Sequence, residues 1–339
     1  MQVKYYTYLL VSVILLTGCS KKQAVKPQTG TPDVYTAGYS TNAKGNFTAT
    51  YWKNGTSTTV ANNSANGTLH AIAIDGNDVY VAGAYTAING KQVAAYWKNG
   101  IITTLTDSTT DSYVWAMVLQ GSDVYSAGYT TDATGKETAT YWKNSVKTLL
   151  PGGLSNSEAR GIVISGNDIY IAGYISNSPG ATTACYWKNN ANVVLDTDYA
   201  GSNAEGLAVS GTDIFVVGFK PLIATISATN WKNGIASSLT DSPNSYVTSI
   251  TVKDADVLEA GASNAANNQS VATYWKNGVQ TQLTDGSTYS DALGITVSGS
   301  DVYICGDNLG GKATYWKNGS PVQLSTSVSS AYSIAVIAH

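Results

Sequence analysis

The sequence predicts an all-β chain, a seven-bladed β-propeller built from four-stranded antiparallel blades. Three observations carry this. A phrase of the form DVYxAG…YWKNG recurs seven times, with its Trp at Trp52, Trp97, Trp142, Trp187, Trp231, Trp275 and Trp316. Each unit holds four strand-like runs, and a repeat of about 40–50 residues made of short strands is a propeller blade. Finally, the repeat is split between the two ends of the domain. The phrase opens at Asp33 without the strand that precedes it elsewhere, and Ser333–Val336 (SIAV) at the other end matches Gly294–Val297 (GITV) and Gly161–Ile164 (GIVI). The C-terminal strand should therefore complete the first blade and close the ring, which removes free edges. A linear solenoid would need polar caps, and the split repeat supplies none.

One unit shows the elements in order. Ala71–Ile74 is the first run and ends at the tight turn Gly76–Asn77. Asp78–Gly83 follows, then a longer loop, then Val93–Trp97. Lys98–Asn99–Gly100 makes a hairpin turn, since Asn-Gly tolerates the positive φ that both central residues of a type I′ turn require. Ile101–Leu105 is the fourth run. Val, Ile, Thr, Tyr and Trp dominate these runs, as a pleated surface favours.

The adjacent Tyr and Trp of the third run point to opposite faces of the blade. Burial of each against a neighbouring blade is worth at most about 4–6 kcal/mol. Residues this regular read as core rather than as a sugar-stacking surface. The repeated Asp is expected to accept hydrogen bonds from turn amides or from an indole N–H. One carboxylate per blade is too few for a ring of calcium sites, and no metal or cofactor is expected.

The first 32 residues lie outside the repeat. Lys4 and the apolar run Tyr8–Leu16 read as a signal sequence too short to be an ordinary spanning helix. Leu16–Thr17–Gly18–Cys19 resembles the lipobox of bacterial lipoproteins. That resemblance implies a signal peptide over 1–18, a lipidated Cys19, and a bacterial envelope location, with Ser20 at the next position pointing to the outer membrane. Several acyl chains hold a protein on a membrane far better than one. The polar stretch up to Pro32 reads as a flexible tether, so 19–32 joins the lipid to a propeller over 33–339. The repeat phrase itself resembles repeats of uncharacterised bacterial lipoproteins, a likeness that brings no activity with it. WD-type and kelch signatures are absent.

Charge narrows the partners. Charged residues make up 12% of the chain, the net charge is −3, and Arg160 is the only Arg. A phosphate backbone needs clustered Lys and Arg, so nucleic acid is not an expected partner. Cys185 and Cys305 sit in the fourth and seventh units, too far apart around a ring for the roughly 7 Å that a disulfide allows. They read as small buried hydrophobes.

Long loops join the second run to the third and each unit to the next, so they fall on one end of the ring, the natural binding face. One column differs sharply between units. The residue before the first run is His70, Trp115, Arg160, Glu205, Thr248, Leu293 and Tyr332. This column should ring the mouth of the central channel on the long-loop face. Two positions earlier stand Glu158, Asp291, Tyr113 and Tyr246. The candidate site is therefore His70, Trp115, Arg160, Glu205 and Tyr332, with Glu158 and Asp291 beside them. Its variety fits a ligand site, and equally a roomy mouth that accepts any side chain.

Arg160 could hold a carboxylate in two-point fashion, and Trp115 and the Tyr residues could stack on a sugar. A binding or assembly scaffold for a glycan, peptide or protein ligand suits such a surface. Catalysis at the same mouth, as in a polysaccharide lyase or glycosidase, would use His70 or Tyr332 as base and Glu205 as acid. HExxH, P-loop, GxGxxG and nucleophile-elbow motifs are absent, which weighs against catalysis, although a propeller active site is assembled from separate blades; no residue is assigned a catalytic role. The apolar loop Phe219–Ile223 (FKPLI) suggests a partner contact or a repacking around Asn230, which replaces the usual Tyr.

Overall fold

A computed structural model describes residues 30–60, 66–178, 180–197, 200–240 and 242–339. The proposed signal segment and Cys19 lie outside them. Seven antiparallel sheets of four strands form the described chain. The second blade runs through Gly67–Asp75, Asp78–Thr86, Gln92–Lys98 and Ile101–Thr104, in that order from the axis outward. The first blade takes its innermost strand from the other end of the domain. Ser329–Ile337 pairs antiparallel with Asp33–Thr41, from Asp33↔Ile337 to Ser40↔Ser329. Among the described residues no helix is long and apolar enough to cross a membrane.

The seven repeated Trp are the largest fully buried side chains. Each fills the seam with the preceding blade. Trp97 packs with Tyr35, Ala37 and Ala49 of the first blade, and Trp142 with Ala71, Ala82 and Ala94 of the second. Trp52 meets Tyr303, Cys305 and Ala313 of the seventh, which closes the ring. In five of the seven seams the small Ala of the AG pair leaves the room that the indole takes, and Val217 and Cys305 stand at that position in the other two. The neighbouring Tyr residues of the YW pairs are only half-buried. Cys185 and Cys305 are buried free thiols, and burial pushes the Cys185 thiol up to about 12.

The repeated Asp does a different job from the one its position suggests. In the second blade Asp78 takes the Lys98 ammonium at 2.8 Å and the Asn99 side-chain N–H at 2.7 Å. The Asn99 Oδ1 accepts from the Val79 amide, and Lys98 lies over the Tyr80 ring. The Asp–Lys–Asn clamp recurs in all seven blades. It ties the hairpin turn to the start of the second strand. Asn99 can stand there because its φ is 51° and Gly100 follows at 81°, as the type I′ turn demands. Among the described residues no indole donates to these carboxylates; the Trp187 N–H donates to the Pro151 carbonyl at 2.7 Å.

Asn230 marks a local exchange. At the seam between fourth and fifth blades, Tyr186 and Val216 share one apolar cluster. The corresponding positions one seam further on are Asn230 and Glu259, whose side chains hydrogen-bond to each other in the interior. The repacking expected around Asn230 is therefore a polar pair, while Leu222 and Ile223 of the nearby loop stay exposed.

Candidate functional site

The variable column was expected just before the first strand of each unit. It lies inside that strand instead. In the second blade the ladder pairs Leu69 with Gly83 and Ala71 with Ala82, leaving His70 unpaired. The same one-residue slip skips Trp115, Arg160, Glu205, Thr248, Leu293 and Tyr332. All seven are β-bulge residues. A bulge releases one residue from the ladder and re-aims its side chain, here into the channel.

The Gly of DVYxAG is what permits the bulge. A Cβ on Gly83 would stand 2.0 Å from the Thr68 carbonyl oxygen, and one on Gly128 would stand 1.8 Å from that of Tyr113. No side chain fits so close to the backbone, so Gly is required where the two inner strands meet at the slip.

The seven bulge side chains line one cavity of about 200 Å³ on the axis. Five of them form a continuous arc. His70 stacks on Tyr332 with ring centres 4.1 Å apart and planes at 17°. Its edge meets Trp115 at 4.7 Å, and its Nε2 lies 3.0 Å from the Tyr113 hydroxyl. Tyr113 also hydrogen-bonds Thr68. The Arg160 guanidinium lies over the Trp115 ring at 4.2 Å. Arg160 Nε stands 3.0 Å from Glu158 and 4.0 Å from Glu205. The first contact is an ion pair rather than a hydrogen bond, because the N–H is not aimed at the oxygen.

Electrostatics set the protonation states. Burial, helped by the charge of Arg160, holds His70 down at about 3, so the ring is neutral. Burial opposes the Arg160 charge, but Glu205 and Glu158 outweigh it and raise its pKa. Burial and Glu158 together push up the Glu137 carboxyl.

Glu158 does not face the channel. It is buried, and it accepts from the Trp115 indole at 2.8 Å and from the Tyr174 hydroxyl at 2.5 Å. It acts as the hub that holds Trp115 and Arg160 in place. Asp291 does not line the cavity either. It sits in the seventh blade, buried beside Asp307, Ser270 and Tyr289. The structure thus joins His70, Trp115, Arg160, Glu205, Tyr332 and Glu158, and leaves Asp291 in a second cluster.

Tyr129, Tyr174, Glu137, Asp307 and Tyr289 belong to these clusters and were not singled out by the sequence. A signal for three of them was present. The residue after the repeated Gly is Tyr39, Ala84, Tyr129, Tyr174, Phe219, Ala262 and Asp307, and it pairs across the ladder with the column holding Glu158 and Asp291.

Compared with known proteins, the chain matches no family model and no curated protein.

Proposed function

We propose that this chain is a membrane-anchored envelope lipoprotein whose propeller binds a glycan, peptide or protein ligand at the channel mouth. The carrying observation is the bulge column. One residue per blade is freed from the ladder, and all seven line one axial cavity. Where packing decides, as at the seven Trp, the blades agree. At the bulge they differ, and five consecutive blades supply Tyr332, His70, Trp115, Arg160 and Glu205. This half-buried arc offers hydrogen-bond acceptors and aromatic surface to the axial cavity.

Binding suits this chemistry better than catalysis. A His held at about 3 is a poor base at neutral pH. Arg160 is held between Glu158 and Glu205, which weakens its pull on an anionic ligand. The ligand favoured here is one that donates hydrogen bonds to Glu205 and packs on Trp115 and Tyr332.

The second strand of each blade begins at the hairpin-turn end, and Asp33 is the start of the first of them. A tether from Cys19 would therefore join the propeller on its turn face, opposite the proposed channel mouth.

Residues 30–339 presented to a glycan and peptide array provide the test. A bound probe should be lost in Glu205→Gln and in Trp115→Ala, with Glu205→Gln melting close to the parent. Binding unchanged in both variants would overturn the site. In cells, labelled fatty acid should enter the full chain and not Cys19→Ala; equal labelling would overturn the anchor.

A further inference from the structure

The second acidic cluster has a charge that the protein does not balance. Asp291 and Asp307 stand directly opposite each other on the two inner strands of the seventh blade. They are only 4% and 8% exposed. Like charges directly opposite on a sheet destabilise it, and burial raises the cost further. The same two positions hold Thr68 and Ala84 in the second blade, Tyr113 and Tyr129 in the third, and Glu158 and Tyr174 in the fourth. Two acids meet in the seventh blade, and packing does not require them.

Hydrogen bonding leaves part of this cluster open. Asp291 accepts from Ser270 at 2.6 Å and from the Tyr289 hydroxyl. Asp307 Oδ2 accepts from Ser330 at 3.1 Å. Asp307 Oδ1 is buried with no hydrogen-bond partner. Among the described residues no Lys, Arg or His lies in ion-pair range of either carboxylate. The contrast with Glu158 is direct, because that buried acid has Arg160 beside it at 3.0 Å.

We infer that Asp291 and Asp307 hold a divalent cation of the calcium class at the long-loop end of the seventh blade. Two carboxylates balance its charge, and the orphaned Asp307 oxygen gains the partner it lacks. Calcium takes about six to eight oxygen ligands, drawn from carboxylates, neutral oxygens and water. The hydroxyls of Tyr289, Tyr246, Ser270 and Ser330 are the further oxygens of this cluster. Tyr289 is 48% exposed, so the outer side of the cluster is where an ion would enter. The rival occupant is a proton, since burial and the neighbouring Asp291 push the Asp307 carboxyl up to about 7. Cation binding would displace that proton. This site is independent of the ligand proposed at the channel mouth.

Terbium is a suitable probe, because the Tyr289 and Tyr246 hydroxyls both meet Asp291 and their rings can sensitise its emission. The full chain should give saturable terbium emission on tyrosine excitation, displaced by calcium chloride. Calcium should also raise the melting temperature by several degrees. Both effects should vanish in Asp307→Asn and persist in Asp285→Asn, an exposed acid on the same face. Asp291→Asn gives a second check if Asp307→Asn fails to fold. Emission unaltered in both cluster variants would overturn the proposal. So would a melting temperature that ignores calcium and climbs as pH falls from about 8 to about 5, which would assign the cluster to a shared proton.

Discussion

At the scale of single residues, the exchange of Tyr and Val for Asn230 and Glu259 has a measurable consequence. Burial pushes the Glu259 carboxyl up to about 7 from 4.5, while the hydrogen bond from Asn230 pulls it the other way. Between these values the folded chain keeps a proton that the unfolded chain has released. Stability therefore falls as pH rises through that window and is level above it, a change on the order of 3 kcal/mol. Glu259→Gln keeps the partner for Asn230 and removes the titration. Its melting temperature should differ less between about pH 5 and pH 8 than that of the parent. Asp307 titrates with the same sign, so the comparison of variant with parent isolates Glu259. An equal pH dependence in the two would show that Glu259 carries no such penalty.

At the scale of the element, each inner strand couples one bulge to one glycine. The bulge aims a side chain down the axis, and the glycine across from it lets the backbones close. Gly128→Ala would set a Cβ 1.8 Å from the Tyr113 oxygen. The pair of strands must then part or slip, at a cost of about 3 kcal/mol, and Trp115 should leave its place against Arg160. Gly135→Ala is the control. It has open space around it and a φ of 87°, so it loses only about 1 kcal/mol. Denaturant melts of the two variants measure the difference. Equal losses would mean that the close approach is not what holds Gly in the repeat.

At the scale of the whole molecule, the ring is closed by pairing its two ends. Ser329–Ile337 supplies the innermost strand of the first blade, and Trp52 fills the seam with the seventh. Removing residues 331–339 exposes the inner edge of Asp33–Thr41 and takes Tyr332, Ser333 and Ile334 out of the wall of the axial cavity. The shortened chain should aggregate or lose its cooperative melt. A truncated protein that melts cooperatively at the parent temperature would show that the ring does not depend on this strand. The same closure makes the site possible, since Tyr332 lies on that strand and His70 stacks on it.

The sequence by itself determined the blade, the number of blades, the split that closes the ring, the Trp core and the positive-φ turns. Each follows from a local pattern or from repetition along the chain, and both are visible in one dimension. The odd column at His70, Trp115, Arg160, Glu205 and Tyr332 was visible for the same reason, as a break in the repetition. Tertiary structure decided what those residues touch. A bulge slips the ladder by one residue, so the sequence does not show that the column leaves the ladder, nor that Glu158 turns inward to hold Trp115 and Arg160. The Asp–Lys–Asn clamp, the Asn230–Glu259 pair and the facing Asp291 and Asp307 join residues across strands or blades. Their chemistry depends on register and burial, which exist only once the sheets have formed and closed into a ring.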